Sequence, residues 1–138
     1  MTLRAFTDGA SRGNLGDAGI GVLLKDEHGK VLFSLSGYIG RATNNVAEYT
    51  ALLALIKNVR RFSCTRLIVH SDSELMVRQM RGEYRVKDPS MKKQHMKARA
   101  ALAGLPCVVE FRHVPREENA DADLLANAGI DRKNRISV

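Results

Sequence analysis

The spacing of apolar and polar positions divides the chain into elements. Leu3 to Thr7 predicts a short strand, Ala18 to Lys25 a second, and Val31 to Ile39 a third, rich in β-branched and apolar residues. Gly9 to Gly16, rich in Gly, Ser and Asn, predicts a loop. Asp26-Glu27-His28-Gly29 predicts a turn with glycine at positive φ. Together these three strands form an antiparallel meander. The period then changes: Val46, Tyr49, Leu52, Leu53, Ile56 and Val59 recur at helical spacing, with Asn44 or Asn45 as cap. Leu67 to His70 is a short apolar run, as in a strand buried on both faces. Ser73 to Arg81 predicts a helix closed by Gly82, and Asp88-Pro89 starts another that runs to about Leu102. Cys107 to His113 is a fifth strand and Ala120 to Ala128 a last helix before Gly129. The order βββαβααβα predicts an α/β domain, a mixed sheet with helices packed on it. The domain spans 1–130, and the polar tail 131–138 is expected to be flexible.

Composition narrows what such a domain does. A chain of 138 residues, 44% apolar, suits one domain with one core and excludes disorder. Its net charge of +7 points to a polyanionic partner. Between Lys57 and Arg99 there are 12 basic and 4 acidic residues, so all the excess sits in the middle third. That stretch reads either as solvated helix faces or as a phosphate-contacting face. Aromatics at 5% with no Trp disfavour a base-stacking platform. Cys64 and Cys107 have no partner at ligand spacing, which predicts reduced thiols of a cytoplasmic protein and no zinc site. No secretory signal opens the sequence, and no run of about 18 apolar residues offers a membrane span.

Four acids stand where packing does not require them. Asp8 and Asp72 end the first and fourth predicted strands; Glu48 lies in the first turn of the long helix, and Asp123 near the start of the last. If the first and fourth strands are neighbours, their terminal aspartates lie side by side. Such carboxylates repel unless hard divalent cations occupy the cluster. Two ions about 3.5–4 Å apart would clamp an in-line displacement at phosphorus. Each acid also has a plainer role. Asp8-Gly9 fits a turn, Glu48 a capping pattern with Asn45, Asp72-Ser73 a helix cap, and Asp123 a favourable helix dipole.

Local sequence discriminates further. Thr7-Asp8-Gly9-Ala10-Ser11-Arg12-Gly13-Asn14-Leu15-Gly16 resembles the first-strand motif of type 1 ribonuclease H, usually TDGS-x-x-GNPG. Thr43-Asn44-Asn45-Val46-Ala47-Glu48 resembles its TNN-x-x-E helix start, and His70-Ser71-Asp72-Ser73 its (T/S)DS strand end. His113-Val114-Pro115-Arg116-Glu117-Glu118-Asn119 through Asp123 resembles H-x-P-x-x-x-N-x-x-x-D. All four occur in family order from Leu3 to about Ala128. The resemblance implies a ribonuclease H-like five-stranded sheet of order 3-2-1-4-5, its first three strands antiparallel. It also implies a two-metal endonuclease, using Mg²⁺ or Mn²⁺, that cuts the RNA strand of RNA/DNA hybrids to leave 5′-phosphate and 3′-hydroxyl ends. Its metal ligands fall on Asp8, Glu48, Asp72 and Asp123. Asp123 is preferred to Asp121 because it lies four residues after Asn119 and ten after His113. His113 matches the mobile histidine that helps protons or product leave.

Substrate contacts carry over to Asn14, Asn44, Asn45 and Asn119, and Thr43 matches a threonine that binds a DNA-strand phosphate. Short amides and hydroxyls suit a duplex read by shape and 2′-OH groups. Two departures stand out. Leu15 replaces the usual Pro, and Gly82 to Pro89 leads straight into the next helix without the basic handle of some members, as in the short archaeal-type branch. Grip on the duplex then falls to Arg78, Arg81, Arg85, Lys87, Lys92 and Lys93. Short members also raise the prospect of cleaving double-stranded RNA. No obligate protein partner and no membrane are implied, and a monomer is expected. Competing readings are a non-catalytic hybrid- or RNA-binding module on the same fold and a junction-resolving nuclease. A proofreading exonuclease is disfavoured because it needs Asp-x-Glu on the first strand and Asp8 is followed by Gly9-Ala10, and Glu110 reads as an ordinary strand residue rather than an integrase acid.

Overall fold

The computed structural model describes residues 1–138. Three long strands, β1 (Thr2–Ser11), β2 (Gly16–Lys25) and β3 (Val31–Ala42), form the meander. They are followed by α1 (Asn44–Val59), β4 (Arg66–Ser71), α2 (Glu74–Met80), α3 (Pro89–Ala103), β5 (Val108–His113) and α4 (Ala120–Arg132), with a 3₁₀ turn at Arg116–Asn119 before α4. The sheet order is β3-β2-β1-β4-β5. β1 pairs antiparallel with β2 and parallel with β4, and β4 is parallel to β5.

Glycines set how closely the helices approach. On β1 a side chain at Gly9 would lie 2.2 Å from the Ala47 backbone of α1. On β2 one at Gly21 would lie 2.1 Å from Ala122 of α4. Gly21 pairs with Asp8, the neighbour of Gly9, and successive strand residues face opposite ways. So α1 and α4 cover opposite faces of the sheet. The main core lies on the α1 side, where Leu3, Ala5, Val22, Leu24, Leu52, Leu55, Leu67 and Val69 are buried together with Met76 and Met80 of α2.

Several expectations are corrected. β1 does not stop at Thr7, because Gly9, Ala10 and Ser11 stay paired with Ile20, Gly19 and Ala18. The cap of α1 is Thr43, whose hydroxyl accepts from Val46 N at 3.2 Å; Asn44 and Asn45 are already helical. Gly129 does not end α4. It sits inside the helix because a side chain there would lie 2.4 Å from Gly37 O, and the helix closes four residues later at left-handed Lys133. Part of the tail 131–138 lies against β3. Tyr38 N donates to Asn134 O and Ile136 N to Tyr38 O, 3.1 and 3.0 Å, and the Ile136 side chain fills the space over Gly37. The boundary expected at residue 130 therefore falls within a continuous unit.

Candidate active site

The parallel pairing of β1 with β4 ends at Phe6↔His70. Asp8 and Asp72 lie two residues beyond that last pair on their respective strands. This corrects the reading of Asp8 as a strand terminus: β1 runs on beside β2, and only its partner β4 stops. Of the pair Asp72-Ser73, it is Ser73 that caps α2, accepting from Met76 N at 3.2 Å, which leaves Asp72 free of that role. Glu48 lies beyond the first turn of α1 and makes no capping box. Its Oε1 instead accepts from Gly9 N at 2.8 Å. That bond forms because Gly9 lets the strand backbone touch the helix.

The result is a cluster in which ligand oxygens of Asp8, Glu48 and Asp72 all lie within 4.8 Å of one another. Asp8 and Glu48 are 5% and 4% exposed. Asp123, half-buried in the first turn of α4, comes within hydrogen-bonding reach of Asp8 and is steadied by Asn127, whose Nδ2 donates to it at 3.2 Å. Burial, then the charges of Glu48 and Asp72, push the Asp8 carboxyl up to about 9. Burial and Asp72 likewise push Glu48 up to about 8, against the opposing pull of the Gly9 N–H and Arg116. A cluster of hard oxygen donors that holds its protons so tightly is the donor set a divalent cation satisfies.

Two groups flank the cluster. His113, exposed, pairs with Ser71 at the same sheet end as Asp72. Arg116 brings its Nε to 4.0 Å from Asp72, with its side chain 85% exposed. The sequence reading passed over Arg116. It stands within the His113–Asp123 motif, but nothing in its spacing shows that the 3₁₀ turn points it back at β4. Asp121 is placed elsewhere, exposed on α4 beside Lys25 and Leu23.

The family described as reverse transcriptase-like matches residues 6–129. A ribonuclease H from Halorhodospira halophila is 33% identical over 94% of this chain and 93% of its own. The chain belongs to the type 1 ribonuclease H family. A ribonuclease HI from Halobacterium salinarum is 38% identical over 94% of this chain, and this chain spans 64% of that protein's length. Against mycobacterial relatives the span is 34% of theirs. Among solved structures, LC11-RNase H1 in complex with RNA/DNA hybrid superposes with a TM-score of 0.90 at 42% identity, covering 94% of this chain and 97% of that one.

The other family positions distribute unevenly. Asn14, Asn44 and Asn45 are exposed. The loop bearing Asn14 is held to the end of β3 through Ser11 Oγ to Ala42 O, 2.6 Å, and Arg41 Nε to Leu15 O, 3.0 Å. This sets Asn14 near the start of α1. Thr43 is half-buried, with its hydroxyl engaged as the cap. Leu15 adopts φ 61, which a proline ring forbids, so this ribonuclease H loop takes a path the usual motif cannot. Asn119 lies inside the fold, with its Oδ1 unpartnered. It is 1% exposed, and its Nδ2 donates to Thr7 O at 2.9 Å, tying the start of α4 to β1.

Among the cations, Arg78 pairs with Glu74 and Glu83, at 3.4 and 3.0 Å. Arg81 donates to Phe111 O at 3.0 Å. Arg85, Lys87, Lys92 and Lys93 are exposed and form no ion pair, so they carry the uncompensated charge.

Proposed function

We propose that this chain is a divalent-metal-dependent endoribonuclease that hydrolyses the RNA strand of RNA/DNA hybrids, leaving 5′-phosphate and 3′-hydroxyl ends. The observation that carries the reading is the convergence of Asp8, Glu48 and Asp72 within 4.8 Å, with Asp123 against Asp8. In this proposal those four hold two ions, Mg²⁺ or Mn²⁺. When bound, such ions lower the pKa of a water and neutralise charge developing at phosphorus. His113, exposed at the rim, takes up or passes on protons as product departs. Asn14, Asn44 and Asn45 face the duplex with short amides that read 2′-hydroxyls and backbone without base preference, and Thr43 marks the DNA-strand side. Arg85, Lys87, Lys92 and Lys93 supply grip. Double-stranded RNA, with 2′-hydroxyls on both strands, is a second substrate. The protein acts as a monomer, and its free Cys64 and Cys107 accord with the cytoplasm.

The test is cleavage of end-labelled RNA/DNA, RNA/RNA and DNA/DNA duplexes with Mg²⁺ and with Mn²⁺. Internal cuts confined to RNA, ending in 5′-phosphate, are expected. Tight hybrid binding without products would instead make this a binding module, and preferential cutting of four-way junctions a resolvase.

A further inference from the structure

Away from the carboxylates, one cavity is lined by cations with no acid among its walls. It has a volume of about 390 Å³ and lies where the turn after α2 meets α3, bounded by Gln79, Tyr84, Arg85, Lys92, His95 and Arg99. That equals roughly a dozen water volumes, room for a phosphate and an attached sugar.

Its polar groups are arranged without protein partners. Gln79 is 5% exposed. Its Oε1 accepts from the Tyr49 hydroxyl at 2.6 Å, which leaves the amide nitrogen with two N–H donors and no protein acceptor. His95 Nε2 is buried and has no hydrogen-bond partner, while the ring stands edge-on to Tyr49 with centroids 6.3 Å apart. Buried polar atoms are normally paired, so the orphaned His95 Nε2 marks a place where a ligand completes the network, and the Gln79 amide nitrogen offers donors beside it. Arg99 is fixed at the wall by donating to Gln79 O and Met80 O, 3.4 and 2.5 Å. Arg85 and Lys92 carry free charge. The acids close in sequence are engaged elsewhere. Glu83 is held by Arg78 and Arg81, and Asp88 Oδ1 accepts from the Ser90 amide and hydroxyl and from the Met91 amide.

We propose that this cavity is a phosphate-binding subsite, with Gln79 and His95 as donors and Arg85 and Lys92 as counter-charge. It rests on and deepens the function proposed above, since Tyr49, which contacts both donors, follows Glu48 in α1, so one helix serves the subsite and the carboxylate cluster. The phosphate comes either from a strand of the bound duplex or from free phosphate.

The experiment titrates the full chain, without divalent cation, with inorganic phosphate and separately with an RNA/DNA hybrid, following the His95 imidazole by NMR. A saturable shift is expected with at least one titrant: with hybrid alone the source is a strand phosphate, with phosphate alone a free anion. An R85Q/K92Q double variant, changed only at exposed positions, should weaken that titrant about tenfold. It should also reduce the salt slope of hybrid binding by about 1 to 2 while Tm stays fixed. An unmoved His95 with both titrants, or undiminished binding by the double variant, overturns the subsite. Because no cleavage is measured, neither result depends on the nuclease reading, which stands or falls on the duplex-cleavage assay.

Discussion

With its pKa at about 9, the Asp8 carboxyl keeps a proton at pH 7 that the unfolded chain, near the ordinary value of 3.8, releases. The stabilisation from that group is full at acid pH and is lost as pH rises toward about 9. The metal-free protein should therefore lose stability between pH 5 and 9, as read by urea denaturation in chelator. Asp8→Asn should flatten that decline and gain on the order of 1 kcal/mol at pH 8, yet lose more than about a hundredfold in cleavage rate. Mg²⁺ added to the parent should raise Tm, and the increment should shrink in Asp8→Asn and at acid pH, where protons compete for the same oxygens. Leu15 poses a separate question of backbone. At φ 61 it is strained where glycine is not. Leu15→Gly should stabilise by about 0.5–1 kcal/mol, and Leu15→Pro, although it restores the usual motif, should destabilise by more than that. Paired thermal melts read both.

At the scale of elements, the contact between β1 and α1 decides whether a site exists. At Gly9 the strand comes directly against the Ala47 and Glu48 backbone, and the Gly9 N–H aims Glu48 at Asp8. Gly9→Ala must push the helix outward. We expect a loss of about 2–4 kcal/mol by denaturant titration, together with most of the cleavage, since a displacement near 1 Å is costly to catalysis. Gly29→Ala serves as the contrast. It lies in open space at φ 82 in the β2–β3 turn, so it should cost about 1 kcal/mol and leave the rate intact. Survival of cleavage in Gly9→Ala at the parent rate would detach Glu48 from the chemistry.

For the molecule as a whole, the two faces of the sheet are closed by different means. The α1 face holds the large apolar core. The α4 face is a glycine-lined seat, in which Gly19 and Gly21 of β2 and Gly129 of α4 let the helix lie on the strand backbone, while Gly37 makes room for Ile136, through which the tail locks onto β3. Ile136→Ala should cost about 1–2 kcal/mol. Because α4 carries Asp123, its loosening should also weaken Mg²⁺ stabilisation, measurable as a smaller Tm increment than in the parent.

The sequence by itself determined the element order, the five strands and the candidate acids, of which Asp8, Glu48 and Asp72 converge within 4.8 Å. Hydrophobic period depends on local residue order, and motif spacing on a backbone path that the family shares. Tertiary structure decided the rest, because it depends on what faces what. Only the packing shows that Asn119 is buried and ties α4 to Thr7. Gly129 looked like a stop signal and is a contact surface for Gly37. Arg78 looked like grip and is balanced by two glutamates, while Arg116 gave no sign until a 3₁₀ turn set it against Asp72. The acids themselves became a site only when the shared end of β1 and β4, and one glycine under α1, brought them together.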